Sequence, residues 1–180
     1  MMINKIAKFH RFLVETGVAR GVLALPAPSI DYGSDIDKGT LEIDVVFDRI
    51  IEEEEIISVC RDLFDSGHYN IAVHESYKVV DNYIKNKSTK ISQSGTALMD
   101  IVFSPKNPML VWNDRETTSQ KDHQAGYHRL YSGAMLAIRN PTGHEFNWID
   151  NAEDALECIV FAQHLLRQAK KSYRPVKATV

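Results

Sequence analysis

Arginine, asparagine and histidine fall within one six-residue stretch, Arg139-Asn140-Pro141-Thr142-Gly143-His144. The stretch joins a permanent cation with a planar fork of donors, an amide, and a ring that titrates near neutrality. Such a set suits chemistry on a phosphate. In RNA the 2′-hydroxyl attacks the adjacent phosphorus, so one proton must leave that hydroxyl and another must reach the departing 5′-oxygen. Histidine serves either transfer at neutral pH, and arginine stabilises the extra negative charge on the phosphate. The Asn140 amide is suited to orienting either the phosphate or His144. A structural reading competes: Arg139 caps carbonyls at a helix end, and His144 is a surface loop residue.

His128 and Ser132 extend the candidate surface. His128 precedes Arg139 by eleven residues, about three helical turns, so an uninterrupted helix projects both from nearly the same face, with Ser132 between them. They form a candidate accessory strip for binding a phosphate of the substrate; the alternative is a polar contact between helices. His68, His74, His123 and His164 show no HxxxH or HExxH spacing, so neither a metal site nor a cofactor is expected. Ser94-Gly95-Thr96 lacks the lysine and the length of a phosphate-binding P-loop, and no GxSxG occurs.

The elements that must hold these residues are helical. Tyr127, Leu130, Tyr131, Ala134, Met135 and Ile138 recur at steps of three and four, which predicts a helix from about Ser119 to Arg139. Asn140-Pro141 is expected to break it, because a residue before proline is pushed out of the α region. Ile56, Ile57, Cys60, Leu63 and Phe64 mark a helix from Glu52 to Asp65, ended by Ser66-Gly67. A second runs from about His68 to Lys87, and a short one from Thr96 to Phe103. Residues 104–118 read as a polar connection anchored by Val111-Trp112. Asn151 is a candidate N-cap, with Asp154 three residues on, for a last helix reaching about Lys171; the tail from Ser172 reads as frayed.

Residues 1–48 form an extension of uncertain structure. Ile3, Ile6, Phe9 and Leu13 fit a short helix, and Leu25-Pro26-Ala27-Pro28-Ser29 an extended linker. Leu41, Ile43, Val45 and Phe47 alternate with Glu42, Asp44 and Asp48, which suits a half-buried strand, without an obvious partner. The expected fold is all-α, with a helical domain over residues 49–175.

The chain has 180 residues, 44% hydrophobic and 25% charged, with a formal net charge of −3. That is the balance of a soluble domain with a core of its own. A mildly acidic balance does not favour a basic coat for nucleic acid, so any RNA contact is local. No apolar run approaches the roughly 18 residues of a membrane span, and charges interrupt the first 20 residues where a signal peptide would be apolar. A cytoplasmic protein is expected. Cys60 and Cys158 fall on apolar helix faces and do not read as a disulfide framework.

Arg139-Asn140-x-x-x-His144 resembles the hallmark of the HEPN superfamily, an arginine and a histidine four to six residues apart with a polar residue after the arginine. The wider frame resembles a bacterial group within it, the Ymh-type conserved hypothetical proteins associated with abortive infection. The matching segments are Phe64-Asp65-Ser66-Gly67-His68-Tyr69-Asn70-Ile71-Ala72-Val73, Gly95-Thr96-Ala97-Leu98-Met99, Arg139-Asn140-Pro141 with His144-Glu145, and Ala155-Leu156-Glu157. The resemblance covers about residues 50–171. It implies an antiparallel bundle of about five helices whose homodimer brings two motifs into one cleft. It also implies a metal-independent endoribonuclease, a toxin or anti-phage defence effector, with Arg139, Asn140 and His144 catalytic. The helices of residues 68–87 and 119–139, with Tyr77, Tyr83, Tyr127 and Tyr131, are the expected dimer faces. Some HEPN toxins carry a nucleotide-accepting tyrosine two residues after the histidine; here that position is Phe146. Two other classes stand beside the enzyme. One is a non-catalytic HEPN module that binds RNA or docks a defence-system partner protein through residues 1–48. The other, a DNA-binding regulator, is less supported, because no helix combines a basic face with a recognisable helix-turn-helix.

Overall fold

A computed structural model describes residues 43–90 and 92–175 of the chain. Their order is α1 (Ile43–Ile50), α2 (Glu54–Asp65), α3 (Tyr69–Ser88), α4 (Gly95–Val102), α5 (Thr118–Ala134), a π-helical turn (Met135–Arg139), α6 (Asn140–His144) and α7 (Ala152–Lys171). The fold is all-α, with more helical segments than the five expected because α1 and α6 are separate pieces. Among the described residues the nearest approach to a sheet is an isolated antiparallel bridge between Val111 and Tyr173. The short N-terminal helix and the Leu25–Ser29 linker expected from the sequence lie outside the described residues.

Helices α3 and α7, each of 20 residues, form the most extensive contact. Their apolar stripes explain why. Ala72, Val73, Tyr77, Val80 and Ile84 of α3, and Ala155, Ile159, Ala162, Leu166 and Ala169 of α7, are fully or nearly fully buried. These positions recur at three and four, so each helix has one face that must be covered. The alanines spaced seven apart on α7 give the larger α3 side chains room to approach. Two tyrosines complete the core and satisfy their hydroxyls on α7 carbonyls: Tyr77 donates to Cys158 at 3.2 Å and Tyr131 to Leu165 at 2.6 Å. Tyr77 and Tyr131 are therefore core residues, and do not present the dimer face expected of them.

The segment around Phe47 is helical, correcting the strand reading. Positions 43, 47 and 51 carry Ile43, Phe47 and Ile51, a helical spacing, and Phe47 and Ile51 are buried. Val46 also packs on the core, whereas Val45, which the strand pattern placed inward, is exposed. A lone strand has no ladder partner for its backbone, while a helix satisfies its own and still buries Phe47 against Phe64. The helical domain thus begins ahead of residue 49. The tail is also better held than its composition implies. Val111 and Tyr173 exchange both backbone hydrogen bonds at 2.8 Å, and the Arg174 guanidinium donates to the Lys87 carbonyl. Trp112 is the anchor expected: it stacks on Phe103 and donates to the Gln168 carbonyl at 2.7 Å.

The helix bearing Arg139 does not stop at Pro141. Asn140 keeps α dihedrals, φ −67° and ψ −50°, and its N–H reaches back five residues to the Met135 carbonyl. Proline within a helix removes one donor and presses its ring on the carbonyl four residues back. A π turn takes in an extra residue and widens the helix at that place, which relieves the conflict. α6 then closes through the Glu145 N–H on the Pro141 carbonyl, and Glu145 itself is extended.

Candidate functional site

Arg139 is the last residue of the π turn and is half-buried. Its Nε is buried without an acceptor, and its Nη1 lies 3.4 Å from the Asn140 Oδ1, a long contact. No carboxylate pairs with it among the described residues, which sets it apart from Arg61 and Arg167, each held by two acidic side chains. A half-buried guanidinium with donors to spare is a receptor for an anion. His144, five residues on at the end of α6, is exposed to solvent. Arg139, Asn140 and His144 thus lie on one unbroken stretch of helix a little longer than a turn, not on either side of the break expected at Pro141, with the π turn as its base.

What fixes this turn comes from α3. The Asn70 amide donates to the Thr142 carbonyl at 3.0 Å and to the Glu145 carbonyl at 3.1 Å, and its Oδ1 accepts from the Ile149 N–H at 3.3 Å. One side chain therefore ties both ends of the loop after α6 to a core helix. His74, one turn along α3, lies against the backbone of Gly143: a Cβ there would stand 2.6 Å from His74 Cε1. A side chain at 143 would therefore have to displace the His74 ring. The Thr142 hydroxyl donates back to the Ile138 and Arg139 carbonyls at 2.9 and 3.0 Å, and its oxygen lies 3.5 Å from His74 Nδ1. Burial lowers the pKa of the His74 imidazole, and the Arg139 guanidinium lowers it further. The Arg139 carbonyl and the Glu75 charge oppose that shift without cancelling it.

Neither Asn70 nor His74 stands out in the sequence, where His74 is one of several histidines without metal spacing. The available signal is their four-residue separation, which puts both on one face of a helix. Among the described residues no three histidine, cysteine or acidic side chains converge as a metal site would need.

His128 and Ser132 are placed differently. Both bond the same Asp100 carboxylate oxygen on α4, His128 Nε2 at 2.9 Å and Ser132 Oγ at 2.6 Å. They form a polar contact between helices. A carboxylate at its centre is a poor neighbour for a phosphate. The extra residue in the π turn also rotates the residues beyond it by roughly 100°, so the end of the helix no longer continues their face.

Large apolar side chains are exposed close to the motif in the chain: Leu136 is 63% exposed, Trp148 57% and Phe146 99%. Phe146 also borders an open cleft of about 300 Å³ with His68, Asn70 and Ile149. Among the described residues no helix is long and apolar enough to cross a membrane. No curated protein and no solved structure matches the chain. Its helices do fit a family of sequences: residues 52–169, from the start of α2 nearly to the end of α7, match the model described as "Protein of unknown function (Hypoth_ymh)", and the chain belongs to that family.

Proposed function

We propose that this protein is a metal-independent endoribonuclease of the HEPN type, working as a homodimeric toxin or anti-phage effector in the cytoplasm. The observation that carries the reading is the Arg139 guanidinium, short of acceptors among the described residues and half-buried, five residues before the exposed His144 on the same stretch of helix. A phosphodiester meets both needs at once. Its oxygens take the donors Arg139 leaves unused, and the bond next to it is the one His144 can act on. Arg139 stabilises the charge that builds on phosphorus as the 2′-oxygen attacks. Asn140 holds the phosphate or the arginine fork in place, and His144 transfers a proton. The product is a 2′,3′-cyclic phosphate and a free 5′-hydroxyl. Phe146 has no hydroxyl, so silencing by attachment of a nucleotide at that position has no acceptor here.

A second reading, a non-catalytic HEPN module that binds RNA or docks a defence partner, draws support from the exposed Leu136, Phe146 and Trp148 beside the motif. One experiment separates the two. The purified chain is expected to cut single-stranded RNA in EDTA and leave a cyclic phosphate end, and its induction in cells to arrest growth unless His144 is replaced by alanine. Cleavage that disappears in EDTA and returns with Mg²⁺ overturns the mechanism. RNA binding without cleavage leaves the adaptor.

A further inference from the structure

Cleavage through a cyclic phosphate moves two protons, and the motif supplies one histidine. We propose that His74 of α3 is the second proton-transfer group, the base that takes the proton of the attacking 2′-hydroxyl, with His144 as the acid on the 5′-oxygen. The assignment rests on the ribonuclease reading above.

Geometry leads to it. The His74 ring is packed on the backbone of Gly143, the residue next to His144. It is thus brought to the motif from a different helix, and the motif turn is shaped to receive it. The Thr142 hydroxyl has one hydrogen, already given to the Ile138 and Arg139 carbonyls. Toward His74 Nδ1, at a long 3.5 Å, that oxygen is then left to accept, which favours the tautomer with the ring hydrogen on Nδ1. The Nε2 lone pair is then left over, and no protein donor among the described residues reaches it. A neutral imidazole with one nitrogen anchored and the other bare is the form a general base needs.

Its surroundings keep it in that form. Burial disfavours the imidazolium, as do the charges of Arg139 on the π turn and Lys78 on α3; the Arg139 backbone carbonyl and the Glu75 charge favour it without cancelling them. The step balances: the 2′-oxygen–phosphorus bond forms, the 2′ proton passes to His74 Nε2, the phosphorus–5′-oxygen bond breaks, and the proton of His144 goes to the 5′-oxygen.

The test uses the full chain in EDTA with a short single-stranded RNA, and with the same RNA bearing sulfur in place of the scissile 5′-oxygen. A thiolate leaves without a proton, so the sulfur substrate bypasses the acid but still needs the base. In the wild type, kcat/KM is expected to rise with pH along an acid limb whose midpoint lies below the ordinary histidine value of about 6.5. His74→Gln, which keeps an N–H for Thr142, is expected to cut natural RNA roughly a hundredfold more slowly and to gain nothing from sulfur. His144→Ala is expected to lose cleavage of natural RNA and regain it on the sulfur substrate.

Wild-type rates in His74→Gln, or its recovery on the sulfur RNA, overturn the assignment while leaving Arg139 and His144 in place. A His144→Ala that sulfur does not recover gives both transfers to His144 of two copies and also overturns it. If circular dichroism shows His74→Gln unfolded, the wild-type limb decides, and a midpoint at or above the ordinary value overturns the proposal. A wild type that cuts neither RNA removes the ribonuclease reading and this assignment together.

Discussion

Two polar clusters lie on the long helical stretch that begins at Thr118, and they contain similar residue types. At Asp100, His128 and Ser132 every side chain has a partner in the chain, and the carboxylate neutralises the histidine when it is protonated. At Arg139, Asn140 and His144 the balance is open: among the described residues the arginine has no carboxylate and its buried Nε has no acceptor. The first cluster joins two helices. The second has unmet demand for an anion. What distinguishes the two clusters is the completeness of pairing, because an unpaired buried donor lowers stability unless a ligand completes it.

That contrast breaks if the open cluster proves dispensable. Arg139→Ala and His144→Ala are each expected to reduce RNA cleavage by roughly a hundredfold or more with the circular dichroism spectrum unchanged. Arg139→Lys should restore only part of the loss, since a point charge lacks the fork. Wild-type cleavage by either alanine variant would put Arg139 and His144 in the same structural class as His128.

Gly143→Ala sharpens the comparison from the backbone side. The added Cβ meets the His74 ring at 2.6 Å, so the ring or the turn must move. Displacing reacting groups by about 1 Å lowers rates by up to roughly a hundredfold, and cleavage is expected to fall by about tenfold or more. Unchanged kinetics would mean that α3 and the motif turn need no fixed spacing.

Asn70→Ala removes three hydrogen bonds that hold residues 142–149 on α3. At about 1 kcal/mol for a typical bond, a loss of roughly 3 kcal/mol in unfolding free energy is expected, with the largest rise in amide exchange in that loop. A global loss of protection without this local signature would contradict its role as a tie.

The smallest effect is expected at the closed cluster. Asp100→Asn weakens the contacts to His128 and Ser132, for about 1 kcal/mol of stability at most, and leaves cleavage of RNA at the wild-type rate. A large fall in activity with stability intact would return His128 and Ser132 to the substrate surface.

The sequence determined a good deal by itself. Five of the helices lie within a few residues of where periodicity put them, and Asn151 caps α7 by accepting the Asp154 N–H at 2.8 Å. These features are local: a 3.6-residue stripe and a capping side chain are written in neighbouring residues. The grouping of Arg139, Asn140 and His144 is local for the same reason.

Tertiary structure decided the rest. The 43–47 segment fits both a period of two and a period of three to four; the presence of Phe64 and the core, and no partner strand among the described residues, select the helix. Pro141 reads as a stop until the wide turn at Met135–Arg139 lets the helix pass through it, and that turn changes which residues share a face with Arg139. Whether Tyr77 faces a partner or the core, and whether His128 meets a phosphate or Asp100, depends on which helix lies opposite. His74 is 69 residues before Gly143 in the chain. No local pattern links them; the packing of α3 against the motif turn does, because contact between side chains distant in sequence is set by the fold as a whole.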